Sequence, residues 1–116
     1  MQFRSSCLAF VVLGALVLPA AAVARPFEGT VGPGASIRLQ RANGTKLRHT
    51  TPGRHRFSIS DLSGFHNFHL VGPGVNKKTA IAFTGSRSWR VTLSAGTYKF
   101  RCDAHPTTMR GSFSVS

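Results

Sequence analysis

The stretch that decides the fold and the chemistry is Tyr98-Lys99-Phe100-Arg101-Cys102-Asp103-Ala104-His105-Pro106-Thr107-Thr108-Met109-Arg110-Gly111. It begins as an alternating strand, with Tyr98 and Phe100 on one face and Lys99 and Arg101 on the other, so Cys102 falls on the apolar parity. It then delivers a thiol, an imidazole and a thioether in a single short loop. A thiolate, two imidazoles and a weak axial thioether form the donor set of a mononuclear blue-copper centre. Cys102, His105 and Met109 supply three of these donors. The fourth must come from elsewhere, and Phe65-His66-Asn67-Phe68-His69-Leu70 offers it twice. If Phe65–Leu70 is a strand, His66 lies with Phe68 and Leu70 on the inward face, and Asn67 and His69 lie opposite. Parity therefore favours His66, with His69 as the alternative ligand or a surface or rim group.

Working outward, residues 25–116 show no sustained helical period. Turn signals recur instead at Gly32-Pro33-Gly34, Asn43-Gly44, Pro52-Gly53, Ser63-Gly64, Gly72-Pro73-Gly74, Gly85-Ser86 and Ala95-Gly96. Short alternating runs lie between them, the pattern of an antiparallel sandwich or barrel. Phe57 and Ile59, then Trp89, Val91 and Leu93, then Phe113 and Val115 form the inward sets. Asn43-Gly44 reads as a two-residue hairpin. Val-Gly-Pro-Gly at 31–34 and 71–74 reads as turn chemistry used twice, and residues 25–26 and 72–80 as the mobile parts.

The N-terminal 24 residues have the form of a cleaved signal peptide. Arg4 supplies the basic start, Leu8 to Leu18 an apolar run too short for a comfortable membrane span, and Ala22-Val23-Ala24 a small-residue cleavage site. That reading predicts a periplasmic or secreted domain over 25–116, without stable membrane insertion after cleavage. Cys7 leaves with the leader, so Cys102 is the one thiol remaining and no internal disulfide can form. Metal coordination explains how a lone thiol persists in an oxidising compartment.

Fifteen Lys and Arg residues against Glu28, Asp61 and Asp103 give a net charge of +12, or +11 without Arg4. This balance attracts acidic partners, anionic headgroups or polyanions and says nothing about fold. Three acids leave little general acid–base capacity, and no serine–histidine–acid set is present, so the chain reads as a non-enzyme. The aromatics at inward parity leave no stacking platform for single-stranded nucleic acid, and no nucleic acid is expected as a partner.

The segment from about Asp61 to the C-terminus resembles the cupredoxins, the plastocyanin, azurin and amicyanin superfamily. The resemblance is carried by His66-Asn67 and by Gly96-Thr97-Tyr98 through Val115. It implies a Greek-key β-sandwich of about seven or eight strands holding one copper ion. It also implies His66, Cys102, His105 and Met109 as ligands, and Asn67 as a brace hydrogen-bonded to the Cys102 loop. By the same resemblance the protein is a monomeric electron shuttle. Its redox partner, given the basic charge, would present an acidic docking surface. The three residues between His105 and Met109 fall between the amicyanin-like and plastocyanin-like lengths. Two other functions stay open on the sequence: a copper carrier using the same ligands, and a basic module that binds anionic polymers or surfaces.

Overall fold

The computed structural model describes residues 9, 11–15 and 25–116. The expected leader, Cys7 included, lies mostly outside the described residues. From Phe27 onward the chain forms nine strands: β1 (Phe27–Val31), β2 (Ile37–Gln40), β3 (His49–Thr50), β4 (Gly53–Asp61), β5 (His69–Gly72), β6 (Val75–Lys78), β7 (Gly85–Leu93), β8 (Gly96–Arg101) and β9 (Arg110–Val115). They make two sheets, one in the order β2-β1-β4-β7 and the other β3-β9-β8-β5-β6. The count slightly exceeds the expected seven or eight, and β3 is only two residues long.

Both sheets are mixed, a correction to the antiparallel reading. β1 runs parallel to β4, and β3 parallel to β9. Between β1 and β4 the chain leaves the first sheet to place β3 at the edge of the second. It therefore returns beside β1 in the same direction. Among the described residues no helix is long and apolar enough to cross a membrane.

Alternation does most of the folding work. Phe57, Ile59, Val91, Leu93, Tyr98, Phe100, Phe113 and Val115 are all buried, and Trp89 packs against them half-exposed. Phe68 and Phe100 stack at 5.5 Å between ring centres, and Tyr98 and Phe113 at 5.3 Å. Such pairs add about 0.5–1.5 kcal/mol each beyond their burial. The Tyr98 hydroxyl sits within hydrogen-bond distance of three backbone groups. It accepts from the Ser94 N–H at 3.1 Å and lies 3.1 Å and 3.2 Å from the carbonyls of Pro73 and Ser94. That ties the β7–β8 turn to the β5–β6 turn.

Three further expectations change. The hairpin after β2 is not a two-residue turn on Asn43-Gly44. Gly44 N–H donates to Arg41 O at 2.9 Å and Arg41 N–H to Thr45 O at 2.7 Å, so Ala42 and Asn43 take the corner. Gly44 follows in the left-handed region, φ +86°, a three-residue loop that only glycine closes cheaply. Residues 72–80, expected to be mobile, include β6, paired with β5 from His69↔Lys78 to Gly72↔Val75. Phe65, 80% exposed, breaks the general reading of the aromatics at inward parity, although the alternation of its own segment sets it opposite His66 and Phe68.

Candidate metal centre

The connection from β4 to β5, residues 62–68, crosses from one sheet to the other and carries His66. It starts in a turn fixed by side chains: Ser63 N–H donates to Asp61 Oδ1 at 3.0 Å, and His66 N–H closes on Ser63 O at 3.4 Å. Strand geometry begins only at His69. The strict alternation expected across Phe65–Leu70 therefore fails. His66, Asn67, Phe68, His69 and Leu70 are all buried, because the irregular segment is covered on both sides. His69, expected on the surface or rim if it was not a ligand, is 8% exposed.

The second half of the site is the β8–β9 connection. Cys102 N–H donates to Met109 O at 2.9 Å, His105 N–H to Cys102 O at 3.1 Å and Met109 N–H to His105 O at 2.9 Å. The loop is thus closed at its neck and wound tightly inside. It leaves Cys102 fully buried, Met109 buried and His105 exposed.

These two segments bring His66, Cys102 and His105 together, with one donor atom of each within 4.8 Å of the others. Cys102 Sγ lies 3.7 Å from His66 Nδ1 and 3.9 Å from His105 Nδ1. The two imidazoles meet edge to face at 4.8 Å between centres. Donors bound at about 2.0–2.3 Å around one ion in a near-trigonal plane stand roughly 3.5–4 Å apart, so the spacing suits a single ion. One soft thiol and two imidazoles are the donors copper prefers, and they fit a single copper ion.

His69 does not join this cluster. Its Nδ1 pairs with Asp103 Oδ1 at 2.7 Å and its Nε2 with Asn76 Oδ1 at 2.5 Å, which occupies both ring nitrogens. It sits instead in a hydrogen-bonded network of which the sequence reading anticipated the Asn67 brace but not His69, Asn76 or Asp103. Asp103 takes hydrogen bonds from Asn67 Nδ2 at 2.8 Å and Arg101 Nε at 3.2 Å, and its own N–H donates to Asn67 Oδ1 at 2.7 Å. Asn67 Nδ2 also reaches Thr79 O at 3.0 Å, and the Asn67 N–H lies 3.5 Å from Cys102 Sγ. Asn67 therefore spans from its own segment to the Cys102 loop, with Asp103 as the residue it grips.

The electrostatics follow from these contacts. Burial alone would raise the Asp103 carboxyl. The hydrogen bonds from His69 and Asn67, the His69 charge and the Arg101 hydrogen bond outweigh it and hold the group down at about 2. Asp61 goes the other way. Burial pushes its carboxyl up, against the Ser63 N–H and the charge of nearby His66, and its Oδ2 has no hydrogen-bond partner among the described residues. A signal for Asp103 was present in the sequence: an acid directly after Cys102 in a chain with only two others. Phe68 and Phe100 are buried, whereas Pro106, next to His105, is exposed.

No family model matches the sequence, and no curated protein matches it. Solved structures do. Reduced rusticyanin superposes with a TM-score of 0.57 at 18% identity, over 78% of this chain and 77% of that one. Rusticyanin from Thiobacillus ferrooxidans gives 0.54 at 21% identity, over 78% and 75%. The fold is that of a cupredoxin. A copper-containing nitrite reductase from Thermus scotoductus shares the cupredoxin fold too, at a TM-score of 0.55 and 19% identity over 87% of this chain. It matches over only 25% of the reductase, so there the fold is one part of a larger enzyme. Cupredoxin architecture thus serves both a small copper protein and a catalyst, and the site's own residues must decide between them.

Proposed function

We propose that this protein is an exported, single-copper electron carrier whose ligands are His66, Cys102, His105 and, axially, Met109. The observation that carries the reading is the convergence of one buried thiol and one ring nitrogen from each of two imidazoles within 4.8 Å. Bound there, copper would supply a one-electron couple. The chain's own contribution is to hold the donors in place. His66 sits on the turn fixed by Asp61 and Ser63, Cys102 and Met109 sit at the neck of one loop, and Asn67 joins the two halves. Donors held this way change little between oxidation states, which favours fast exchange. His105 is the exposed donor, and the exposed apolar Leu62 and Phe65 flank the His66 segment. This end suits transient contact with a partner protein.

A non-enzymatic role fits the residues near the site. Asp61 is buried and Asp103 is fully engaged by His69, Asn67 and Arg101, so neither is free to move protons for a substrate. The leader-like N-terminus supports export to the periplasm or beyond, and the mature unit would be residues 25–116, acting as a monomer.

The test is an optical and EPR titration of residues 25–116 with Cu(II). An intense visible thiolate-to-copper band with narrow hyperfine splitting is expected, and Cys102→Ser should abolish the colour. A coloured Cys102→Ser protein refutes the assignment. A colourless wild type that retains Cu(I) tightly would make it a carrier rather than a shuttle.

A further inference from the structure

The strands of the two sheets carry five Lys and Arg residues each, but one concave stretch of surface gathers cations from both sheets and from the loop between them. Three concave pockets, of about 510, 240 and 420 Å³, all include Gly111 in their walls and share Arg110, Ser112, Lys46 or Phe100 pairwise. They form one groove along β9. Its charged lining is Arg38, Lys46, Arg48, Lys99, Arg101 and Arg110, with no carboxylate among the lining residues. All but Arg101 are exposed, and among these residues Arg101 alone is paired with a carboxylate, that of Asp103.

The groove has a structural cause. β3 accompanies β9 only at Ser114 and Val115, while Lys46 and Leu47 turn away to β2 through the Gln40↔Lys46 bridge and the Leu47 N–H to Leu39 O bond. The edge of β9 from Arg110 to Phe113 is left uncovered, with cations on either side. At Gly111 the Phe100 ring packs where a Cβ would stand, so both residues appear in the groove's wall. At its upper end Pro106 joins the lining, one residue from His105.

We infer that this groove receives an extended acidic segment, a run of Asp or Glu residues, of the protein that exchanges electrons with this one. Like charges crowded together without counter-charges cost stability unless something binds there. Arg38, Arg48 and Arg110 in the lining can grip carboxylates in bidentate fashion. A segment lying there ends beside Pro106 and so brings its parent protein against the exposed His105. The assignment rests on the electron-carrier reading, because that reading makes the parent protein a redox partner.

Fluorescein-labelled hexaglutamate, titrated into the metal-free domain and followed by anisotropy, tests the groove without involving copper. Binding should weaken at least about tenfold between about 20 and 200 mM salt, as the Debye length shortens from roughly 20 to roughly 7 Å. Lys46→Glu with Arg48→Glu should lose about tenfold or more, with the same circular dichroism as wild type. Arg54→Glu with Arg56→Glu, on the outer face of the other sheet, makes the same charge change and should cost under about threefold. Should the double reversal fail to fold, Lys46→Gln with Arg48→Gln replaces it, with a proportionately smaller loss expected. Equal losses in the two double variants overturn the groove in favour of diffuse net charge. A sulfated oligosaccharide of equal charge binding the same residues more tightly overturns the peptide assignment in favour of an anionic polymer. Because the optical titration reads the copper site separately, a blue protein that ignores hexaglutamate sinks only the groove, and a colourless one that binds it sinks only the electron-carrier reading.

Discussion

Replacing Asp103 by Asn removes one negative charge while keeping the shape of the side chain, and it tests whether the acid network holds the two halves of the site together. A carboxyl held at about 2 instead of its ordinary 3.8 corresponds to about 2 kcal/mol of native-state stabilisation, at about 1.4 kcal/mol per pH unit. The side chain is 28% exposed, so solvent screens part of this and 1–2 kcal/mol is the working figure. The sign is definite. The group is depressed in the folded state, so its contribution is complete above the unfolded value near 4 and disappears as pH falls through about 2. Urea unfolding of metal-free wild type and Asp103→Asn, in steps from pH 6 to about 2.5, measures the gap directly. It should stand at roughly 1–2 kcal/mol down to about pH 5 and close steadily below pH 4. A gap that stays constant over the whole range, or no gap at pH 6, would refute the electrostatic argument and leave Asp103 as mere packing.

Gly111→Ala should lower stability by about 1–3 kcal/mol, since the added methyl lands on the Phe100 ring and must push it out of its stack on Phe68; thermal unfolding reads this. Tyr98→Phe should cost about 0.5–1.5 kcal/mol in the same assay, because it strips the part-buried Ser94 N–H of its acceptor and removes a donor to nearby carbonyls. Met109→Leu, close in volume at a buried site, should cost under about 1.5 kcal/mol in the metal-free protein. With copper bound it should keep the visible colour and raise the reduction potential in voltammetry; a lowered potential would remove Met109 from the ligand set.

Much of this was legible from one dimension. Period-two alternation placed Tyr98, Phe100 and Cys102 inward, and it did so because β8 runs regularly between two neighbours. The same rule failed three residues before β5. Its premise is a strand with one open face, and Asn67 and His69 have no open face: Thr79, Asn76, Arg101 and Asp103 close over them. Nothing in a local pattern announces a lid supplied by residues ten or thirty positions away. His66 lies beside Cys102 although the strand premise that pointed to it was wrong, because side chains at both parities are buried there. The β3 switch between sheets was illegible for a related reason. Two residues carry no period, and only the uncovered length of β9 shows what that switch leaves behind.

The hydrogen bond from Cys102 to the Met109 carbonyl has a consequence for how such a site can change over generations. Everything between those two residues hangs from a clasp that the sandwich already holds shut, so a residue gained or lost inside the loop need not disturb a strand. Length there can drift almost independently of the framework, altering the reach of His105 and the approach of the sulfur while the core stays as it was. The protein has, in effect, separated the part that must endure from the part that can be retuned.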